Sequence, residues 1–448
     1  MESRDFFINT KPIKLFFRAA VPGMISMFSM SIYSLFEGMF IGKFLGSDAF
    51  AAMNLALPFV MINFALADLI GVGSAVPISI ALGRGDEKDA NNIISCALVL
   101  IFSTTLVTGS MMVFFAPYMF EFMGAVGETA KMATIYLRAF AMCGPFCTVL
   151  FAMDNYLRIC GFVKTSMVLN VFMSFLTIAL LYVFIVVCKL GVVGSALASC
   201  VSMMLCSLLT FIPFLLKKTV LRFGKPVFKM NVIKQIVSCG CPTFLSTMAG
   251  RITSVVMNMV LLSLGGDDAV AIYGILMYSS DIIQPFLYGM SDSLQPAIGY
   301  NWGAGLGDRV KAIAKCVFTF AGIFSVVASF GMHIFGENIA GIFVESSDIS
   351  LLRGATEAIK IFCFAYTIRW FSFCAQGFYT AIEMPFQASV LSVGSAMVFP
   401  LIVMLILWPL GLTGIWLNLA GTSVLMAVLS LFMLLKTQKK MKKDGLVG

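Results

Sequence analysis

Long apolar stretches alternate with short polar loops along the whole chain. The stretches fall near 15–42, 51–82, 93–120, 133–157, 165–188 and 191–216, and again near 235–264, 270–302, 312–336, 355–381, 385–409 and 411–435. Each is long enough for a helix that crosses a bilayer, which needs about 20 apolar residues. Several contain an internal proline, which predicts kinked helices. The pattern therefore predicts an all-α integral membrane protein with twelve transmembrane helices.

The composition agrees with a chain that lives in lipid. Hydrophobic residues make up 60% of its 448 positions and charged residues only 12%, whereas soluble domains carry about 25% charged residues. This excludes a soluble enzyme, a nucleic-acid-binding module and a disordered scaffold. We expect membrane lipid as a partner and no nucleic acid.

The residues that usually bind metals or carry out catalysis are poorly represented. The twelve cysteines lie in or beside apolar runs, where a free thiol behaves as a small hydrophobe, and His333 is the single histidine. We therefore expect no zinc-type site, no cofactor and no enzymatic activity. An intramembrane enzyme remains the rival from another functional class, but the chain lacks a histidine-rich or paired-acid cluster.

Basic residues gather on alternate loops. The N-terminal arm, the even-numbered loops and the tail hold 22 of the 30 lysines and arginines, whereas acids such as Glu121, Glu128, Glu337, Glu345 and Asp348 collect on the opposite side. Because cytoplasmic loops are enriched in lysine and arginine, we expect both termini to be cytoplasmic, in a multi-pass protein of the cell membrane. An even number of spans follows.

The two sets of spans repeat each other in sequence. A shift of 220 residues without gaps gives sixteen identities between positions 14–96 and 234–316, including Pro22 with Pro242 and Gly46 with Gly266. Six spans per repeat is an even number, so both halves insert the same way round. Parallel repeats of this kind are typical of transporters.

The repeat predicts three segments. An N-lobe of six helices covers 1–216, a basic cytoplasmic linker covers 217–234, and a C-lobe of six helices with a basic cytoplasmic tail covers 235–448. We expect a central cavity between two lobes that rock against each other, and a monomeric protein.

Several short motifs resemble one transporter family along the whole chain. They are Phe36-Glu37-Gly38-Met39-Phe40-Ile41-Gly42, Gly71-Val72-Gly73-Ser74-Ala75, Leu82-Gly83-Arg84-Gly85-Asp86, and Leu294-Gln295-Pro296-Ala297-Ile298-Gly299-Tyr300-Asn301-Trp302-Gly303-Ala304. In this order they resemble the multidrug and toxic compound extrusion (MATE) family, and the Gln295-Pro296 segment is most similar to its bacterial drug-exporting branch.

The resemblance implies a secondary active exporter of amphipathic, cationic organic compounds that works by alternating access. The chain has no nucleotide-binding loop, so a proton or sodium gradient would drive it. A lipid-linked oligosaccharide flippase of the same superfamily is the alternative, since Arg251 and Arg369 within spans would suit an anionic headgroup.

Glu37 is the leading candidate for ion coupling. It is the only charged residue between Arg18 and Lys43 on its helix, and an unpaired charge inside a membrane costs at least about 2.5–3.5 kcal/mol. A carboxyl group held away from water can carry a proton, or it can bind Na⁺ with neighbouring oxygens. Its alternative role is a protonated acid that joins helices. The resemblance implies an acid at this position, usually aspartate.

The resemblance also implies polar partners for this acid in the N-lobe. Asn170 and Ser199 match the expected amide and hydroxyl positions, whereas Ser174 stands where the family has an aspartate. One formal charge then remains, which favours H⁺ over Na⁺ as the coupling ion. Asp68 in span two could supply a second carboxylate and rebuild a sodium site, or it could serve only the packing of its helix.

Polar residues within the other spans are the candidates for contact with small organic substrates. These residues are Tyr33, Asn54, Arg251, Asp281, Gln284, Tyr288 and Arg369. Paired Arg and Asp side chains could equally be structural, and the repeat places Met257 opposite Glu37. We therefore expect ion coupling mainly in the N-lobe.

Overall fold

The structure, a computed structural model, describes residues 3–125, 127–344 and 349–443. Glu345 and Asp348, two of the predicted acidic loop positions, lie outside these ranges. The described residues form helices and the turns that connect them. Those of the first half are α1 (Ser3–Asn9), α2 (Pro12–Leu45), α3 (Ser47–Arg84), α4 (Glu87–Phe122), α5 (Gly127–Ile159), α6 (Val163–Leu181) with a π-helical extension (Tyr182–Val187), and α7 (Gly191–Leu215).

Irregular turns interrupt the helices of the second half more often. These helices are α8 (Met230–Asp292), α9 (Gln295–Gly303), α10 (Gly307–Ile334), α11 (Gly336–Phe343), α12 (Ile349–Phe362), α13 (Tyr366–Ala381), α14 (Pro385–Val393), α15 (Phe399–Leu407) and α16 (Gly411–Lys443). A 3₁₀ turn joins α12 to α13, a π-helical turn joins α14 to α15, and a second 3₁₀ turn precedes α16.

Ten helical segments of the described chain are long and apolar enough to cross a membrane. Two of them, Met230–Gly303 and Pro385–Lys443, are much longer than one crossing needs. A glycine with positive φ divides each, Gly266 (φ 64°) in the first and Gly411 (φ 57°) in the second. Glycine adopts this conformation without the steric cost that a Cβ would bring. The ten segments therefore contain twelve spans, and the predicted all-α, twelve-helix fold is confirmed.

The chain forms two compact units that share two helices. The first unit comprises Met1–Thr10 and Ile25–Phe244, and the second comprises Lys11–Met24 and Leu245–Gly448. The divisions fall after Met24 and after Phe244, 220 residues apart, close to the repeated Pro22 and Pro242. The two units therefore correspond to the two sequence repeats. The division points lie inside the first long helix of each half, α2 and α8, and not at the linker. The lobe boundaries at 216 and 235 remain a prediction.

Glycines allow the shared helix α8 to pack closely inside the first unit. A Cβ on Gly240 would lie 1.7 Å from the Leu69 carbonyl oxygen of α3, and a Cβ on Gly73 would lie 2.1 Å from that of Ile236. No side chain fits at such separations. Small residues permit this kind of backbone contact between membrane helices.

The linker packs against α4 within the first unit. Residues 217–229 are not helical, and α8 begins at Met230. The Asn92 side chain on α4 accepts a hydrogen bond from the Val227 backbone N–H at 2.8 Å and donates one to the Val227 carbonyl at 3.1 Å. The Asn91 carboxamide accepts a further bond from the Arg222 backbone N–H at 2.7 Å. These contacts hold the basic segment along α4.

Candidate functional site

Glu37 lies within the first unit beside two serine hydroxyls. Ser199 on α7 donates a hydrogen bond from Oγ to Glu37 Oε1 at 3.0 Å, and Ser195 donates to the same oxygen at 3.3 Å. Both serines are buried, and they lie one turn apart on the same face of α7. The predicted neighbours Glu37 and Ser199 are therefore in contact, and Ser195 is an additional partner.

Helix geometry explains why these groups meet. Glu37 lies eight residues before the end of α2 at Leu45, and Ser199 lies eight residues after the start of α7 at Gly191. At 1.5 Å per residue each is about 12 Å from its helix end. Tyr136, a buried residue nine residues into α5, reaches the same level. Three helices thus bring Glu37, Ser199 and Tyr136 to about the same depth, and Ser195 lies one turn, about 6 Å, nearer the start of α7.

Asn170 and Ser174 have other hydrogen-bond partners. The Asn170 side chain donates from Nδ2 to Asp154 Oδ1 at 3.0 Å, and the Ser174 hydroxyl donates to the Asn170 backbone carbonyl at 3.0 Å. Asn170 is seven residues from the start of α6. Since α7 follows the other end of α6, Asn170 lies nearer the end of α6 that is farther from the start of α7. The structure therefore does not join these two residues to Glu37 by a hydrogen bond.

Asp154 and Arg158 form a buried ion pair that the sequence reasoning missed. Arg158 Nη2 lies 2.6 Å from Asp154 Oδ2, and their side chains are 5% and 14% exposed. Ser166 accepts a hydrogen bond from Arg158 Nε at 3.0 Å and donates one to Asp154. A buried carboxylate needs this degree of compensation. The cluster joins α5 to α6, and its acid is already neutralised by a full positive charge.

The remaining first-unit candidates lie on α2 and α3. Tyr33 is half-buried one turn before Glu37 and packs against the apolar core of the first unit. Asn54 is exposed, seven residues into α3. Asp68 is half-buried and twenty-one residues into the same helix. Counted from the turn at Gly46, Asp68 is about 20 Å deeper along the helices than Glu37.

The second unit contains a cavity of about 270 Å³ that three of the predicted substrate residues line. Gln284 and Tyr288 reach it from α8, and Arg369 reaches it from α13. Gln284 Nε2 donates a hydrogen bond to the Tyr288 hydroxyl at 3.2 Å. The Arg369 guanidinium lies over the Phe373 ring, 5.1 Å from its centroid. The second half therefore has its own polar cavity.

Arg251 and Asp281 are not among the residues that line this cavity. Both are exposed on α8, and each is fifteen residues from the bend at Gly266, so they lie at matching positions on the two arms of the hairpin. An electrostatic interaction links them. Whether this pair is structural or contacts a substrate stays a prediction.

Two of the missed groups carried a signal in the sequence. Ser195 precedes Ser199 by four residues, and Asp154 precedes Arg158 by four, so each pair shares a helix face. Tyr136 had no such signal, because the orientation of its side chain depends on how α5 is rotated against α7. Among the described residues, no group of three or more His, Cys, Asp or Glu side chains is arranged to hold a metal ion.

Comparison with known proteins agrees with the repeat. The MatE family model matches residues 22–183 and 242–406, two segments whose starts are 220 residues apart. The multidrug export protein MepA of Staphylococcus aureus strain MSSA476 is 27% identical over 440 residues, which cover 97% of this chain and 96% of MepA. MepA of Staphylococcus saprophyticus is 26% identical over 450 residues, which cover 100% and 99% of the two chains.

Solved structures share the fold. A MATE transporter crystallised with MaL6 superimposes with a TM-score of 0.94 at 22% identity, over 99% of this chain and all of that one. A MOP superfamily transporter from Pyrococcus furiosus gives a TM-score of 0.92 at 22% identity, over 99% of each chain. Because the family model covers well over half of the sequence, the chain belongs to the MatE family of multi-pass membrane transporters.

Proposed function

We propose that the chain is a multidrug exporter that couples the outward movement of amphipathic, cationic organic compounds to the inward movement of protons. The MepA relatives, which are multidrug export proteins and align over nearly the full chain, support the export of small organic compounds. Export then proceeds by alternating access of the two halves, in a monomer of the cell membrane with both termini in the cytoplasm.

The contact between Glu37 and the α7 serines is the observation that carries the coupling proposal. The carboxylate is half-buried on a membrane-crossing helix, with hydroxyl donors at 3.0 and 3.3 Å on one oxygen. Hydroxyl groups can donate to an ionised carboxylate and can also accept from a protonated one. The same two serines can therefore support both states of a group that gains and loses a proton.

The surroundings of Glu37 favour a proton over sodium. A dehydrated cation needs several oxygen ligands and gains from negative charge nearby. The groups that donate hydrogen bonds to Glu37 are neutral hydroxyls, and Asp154 is compensated by Arg158. Asp68 lies about 20 Å deeper along the helices than Glu37, too far to share an ion with it. Asn170, which the family resemblance would assign to the ion, bonds to that compensated acid.

Uptake into inside-out membrane vesicles tests the proposal. Vesicles that contain the chain and are energised by respiration should accumulate ethidium, a fluorescent aromatic cation, faster than vesicles that lack it. A protonophore should abolish the difference. Equal uptake in the two preparations would contradict export of organic cations.

A lipid-linked oligosaccharide flippase is the second candidate function. Arg369 supports it, because a pyrophosphate linkage would need a cationic partner, and Arg369 is the one residue with a formal charge in the described lining of the second-unit cavity. The Pyrococcus furiosus transporter has a binding pocket of reversed polarity that was taken to suggest a different function. Translocation of a fluorescent lipid pyrophosphate in proteoliposomes, without ethidium transport, would favour this candidate over the exporter.

A further inference from the structure

The residues described on the walls of the second-unit cavity include one positive charge and no negative charge. Among the described residues that line it, Arg369 is the only one with a formal charge, and neither Asp281 nor Asp292 belongs to that lining. The Nε atom of Arg369 is buried and has no hydrogen-bond partner within the described part of the chain. A buried donor that is left unsatisfied is costly, and more so on a charged group, so the position favours an acceptor supplied by a ligand.

Phe373 positions two hydrogen-bond donors at this wall. The Arg369 guanidinium lies over its ring at 5.1 Å, a distance at which a cation is attracted to the aromatic face. The Tyr288 ring packs edge-on against the same ring, with centroids 4.8 Å apart and planes at 72°. Arginine and tyrosine are therefore held by one aromatic platform on α13, which limits the rotation of both side chains.

Two successive hydrogen bonds, from Ser280 to Gln284 and from Gln284 to Tyr288, leave the Tyr288 hydroxyl hydrogen able to bond to a ligand. Ser280 donates from Oγ to Gln284 Oε1 at 3.0 Å, and Gln284 donates from Nε2 to the Tyr288 hydroxyl oxygen at 3.2 Å. Since that oxygen accepts a bond from Gln284, its own O–H points away from the amide. Tyr288 can then act as a donor toward a ligand, as arginine does through Nε.

Two other polar groups of the cavity donate hydrogen bonds within the protein. Thr253 donates to the Ala396 carbonyl at 2.6 Å, and Asn418 donates from Nδ2 to the Pro400 carbonyl at 2.8 Å. Apolar side chains such as Phe362 and Trp416 complete the walls. The cavity volume, about 270 Å³, is close to the lower end of the usual range for small-molecule pockets, about 300 Å³.

We propose that this cavity binds organic anions, with an acidic group on Arg369 and Tyr288 and an apolar body against the aromatic walls. The site stands apart from the Glu37 coupling proposal, because it belongs to the other unit and needs no ion gradient to bind its ligand. An exporter with this site accepts compounds that carry a carboxylate, including zwitterions, in addition to simple cations.

Equilibrium binding to the purified full-length protein in neutral detergent tests the site without any transport step. The probe is radiolabelled 2-naphthoate, and 2-naphthylmethylammonium is the cation with the same aromatic body. Naphthoate should bind saturably and at least tenfold more tightly than the ammonium compound. Equal affinity for the two probes, or no saturable binding of naphthoate, would overturn the proposal.

Two variants locate the binding site. Arg369→Gln keeps an amide donor but removes the charge, and it should weaken naphthoate binding at least tenfold while the ammonium probe loses nothing. Tyr288→Phe keeps the ring packing and should weaken naphthoate binding about three- to tenfold, the usual range for one hydrogen bond. Arg353→Gln is the matched control, since that side chain is 82% exposed on α12. Wild-type affinity in Arg369→Gln would contradict the assignment.

The acidic group could belong to a soluble compound or to a lipid, and competition separates these sources. Dihexanoyl phosphatidate that displaces naphthoate at lower concentration than benzoate does would assign the site to lipid headgroups. Displacement by benzoate at the lower concentration would assign it to soluble carboxylates. Either order supports the anion site, whereas displacement by neither compound contradicts it.

Discussion

Replacement of Glu37 by glutamine separates its hydrogen bonding from its charge. The amide oxygen of glutamine can take the place of Oε1 and accept the bonds from Ser199 and Ser195, now at 3.0 and 3.3 Å. It cannot bind and release a proton. If Glu37 carries the proton that drives export, Glu37→Gln should lower substrate transport below about one-twentieth of the wild-type rate, because a relay of this kind depends on its ionisable group.

The expected effect on stability is small, and it can be worked from the same contacts. Two hydrogen bonds to a charged acceptor contribute about 2–3 kcal/mol more than two to a neutral one. Removing an ionised side chain from the membrane interior regains about 2.5–3.5 kcal/mol. The two changes nearly cancel, so the free energy of unfolding should change by less than about 2 kcal/mol.

The assay compares ethidium uptake into proteoliposomes that contain equal amounts of each purified variant, with thermal unfolding in detergent as the check on folding. Asp48→Asn is the matched control, since this acid is exposed in the first turn of α3, and it should transport at the wild-type rate. Glu37→Asp keeps the carboxyl group and should retain part of the activity. Transport by Glu37→Gln at half the wild-type rate or better would remove Glu37 from the coupling role.

Two further predictions concern orientation and the buried ion pair. In a cysteine-free background, Lys225→Cys in the basic linker should be protected from an impermeant thiol reagent outside intact cells, whereas Glu128→Cys should react, and the reverse pattern would overturn the topology. Arg158→Met should destabilise the protein by about 3–5 kcal/mol, because it leaves the buried Asp154 without compensation. Arg353→Met removes an exposed pair and should cost at most about 1 kcal/mol, and equal melting temperatures for the two variants would contradict the reasoning.

The sequence predicts the fold because the signals are long and repeated. Twelve apolar stretches and a 220-residue shift are enough to find the spans and their pairing into two halves. The division of α2 at Met24 and of α8 at Phe244 between the two units could not be predicted from the sequence. An apolar helix has the same residue pattern whichever unit it belongs to. The close contact at Gly240 becomes visible only when its neighbour Leu69 is known.

The residues of the candidate site could be predicted where charged side chains are rare. An isolated acid in a long apolar span singles out Glu37, and the family resemblance adds Ser199. Asn170 was predicted to lie beside Glu37, but its side chain bonds to Asp154 on α5 instead. Arg251 and Arg369 look alike in sequence, yet only Arg369 lines the cavity. These contacts depend on how each helix is rotated and how deep it lies in the membrane. A span that is apolar on every side shows neither its rotation nor its depth in the sequence.

The central claim is that a proton, held by a single uncompensated carboxyl group at Glu37, drives export. The most direct measurement is ethidium uptake into inside-out proteoliposomes with each ion gradient imposed alone. The account predicts uptake when a proton gradient is imposed without Na⁺, and none when a Na⁺ gradient is imposed at equal pH on both sides. Uptake driven by the Na⁺ gradient, with none driven by the proton gradient, would contradict it.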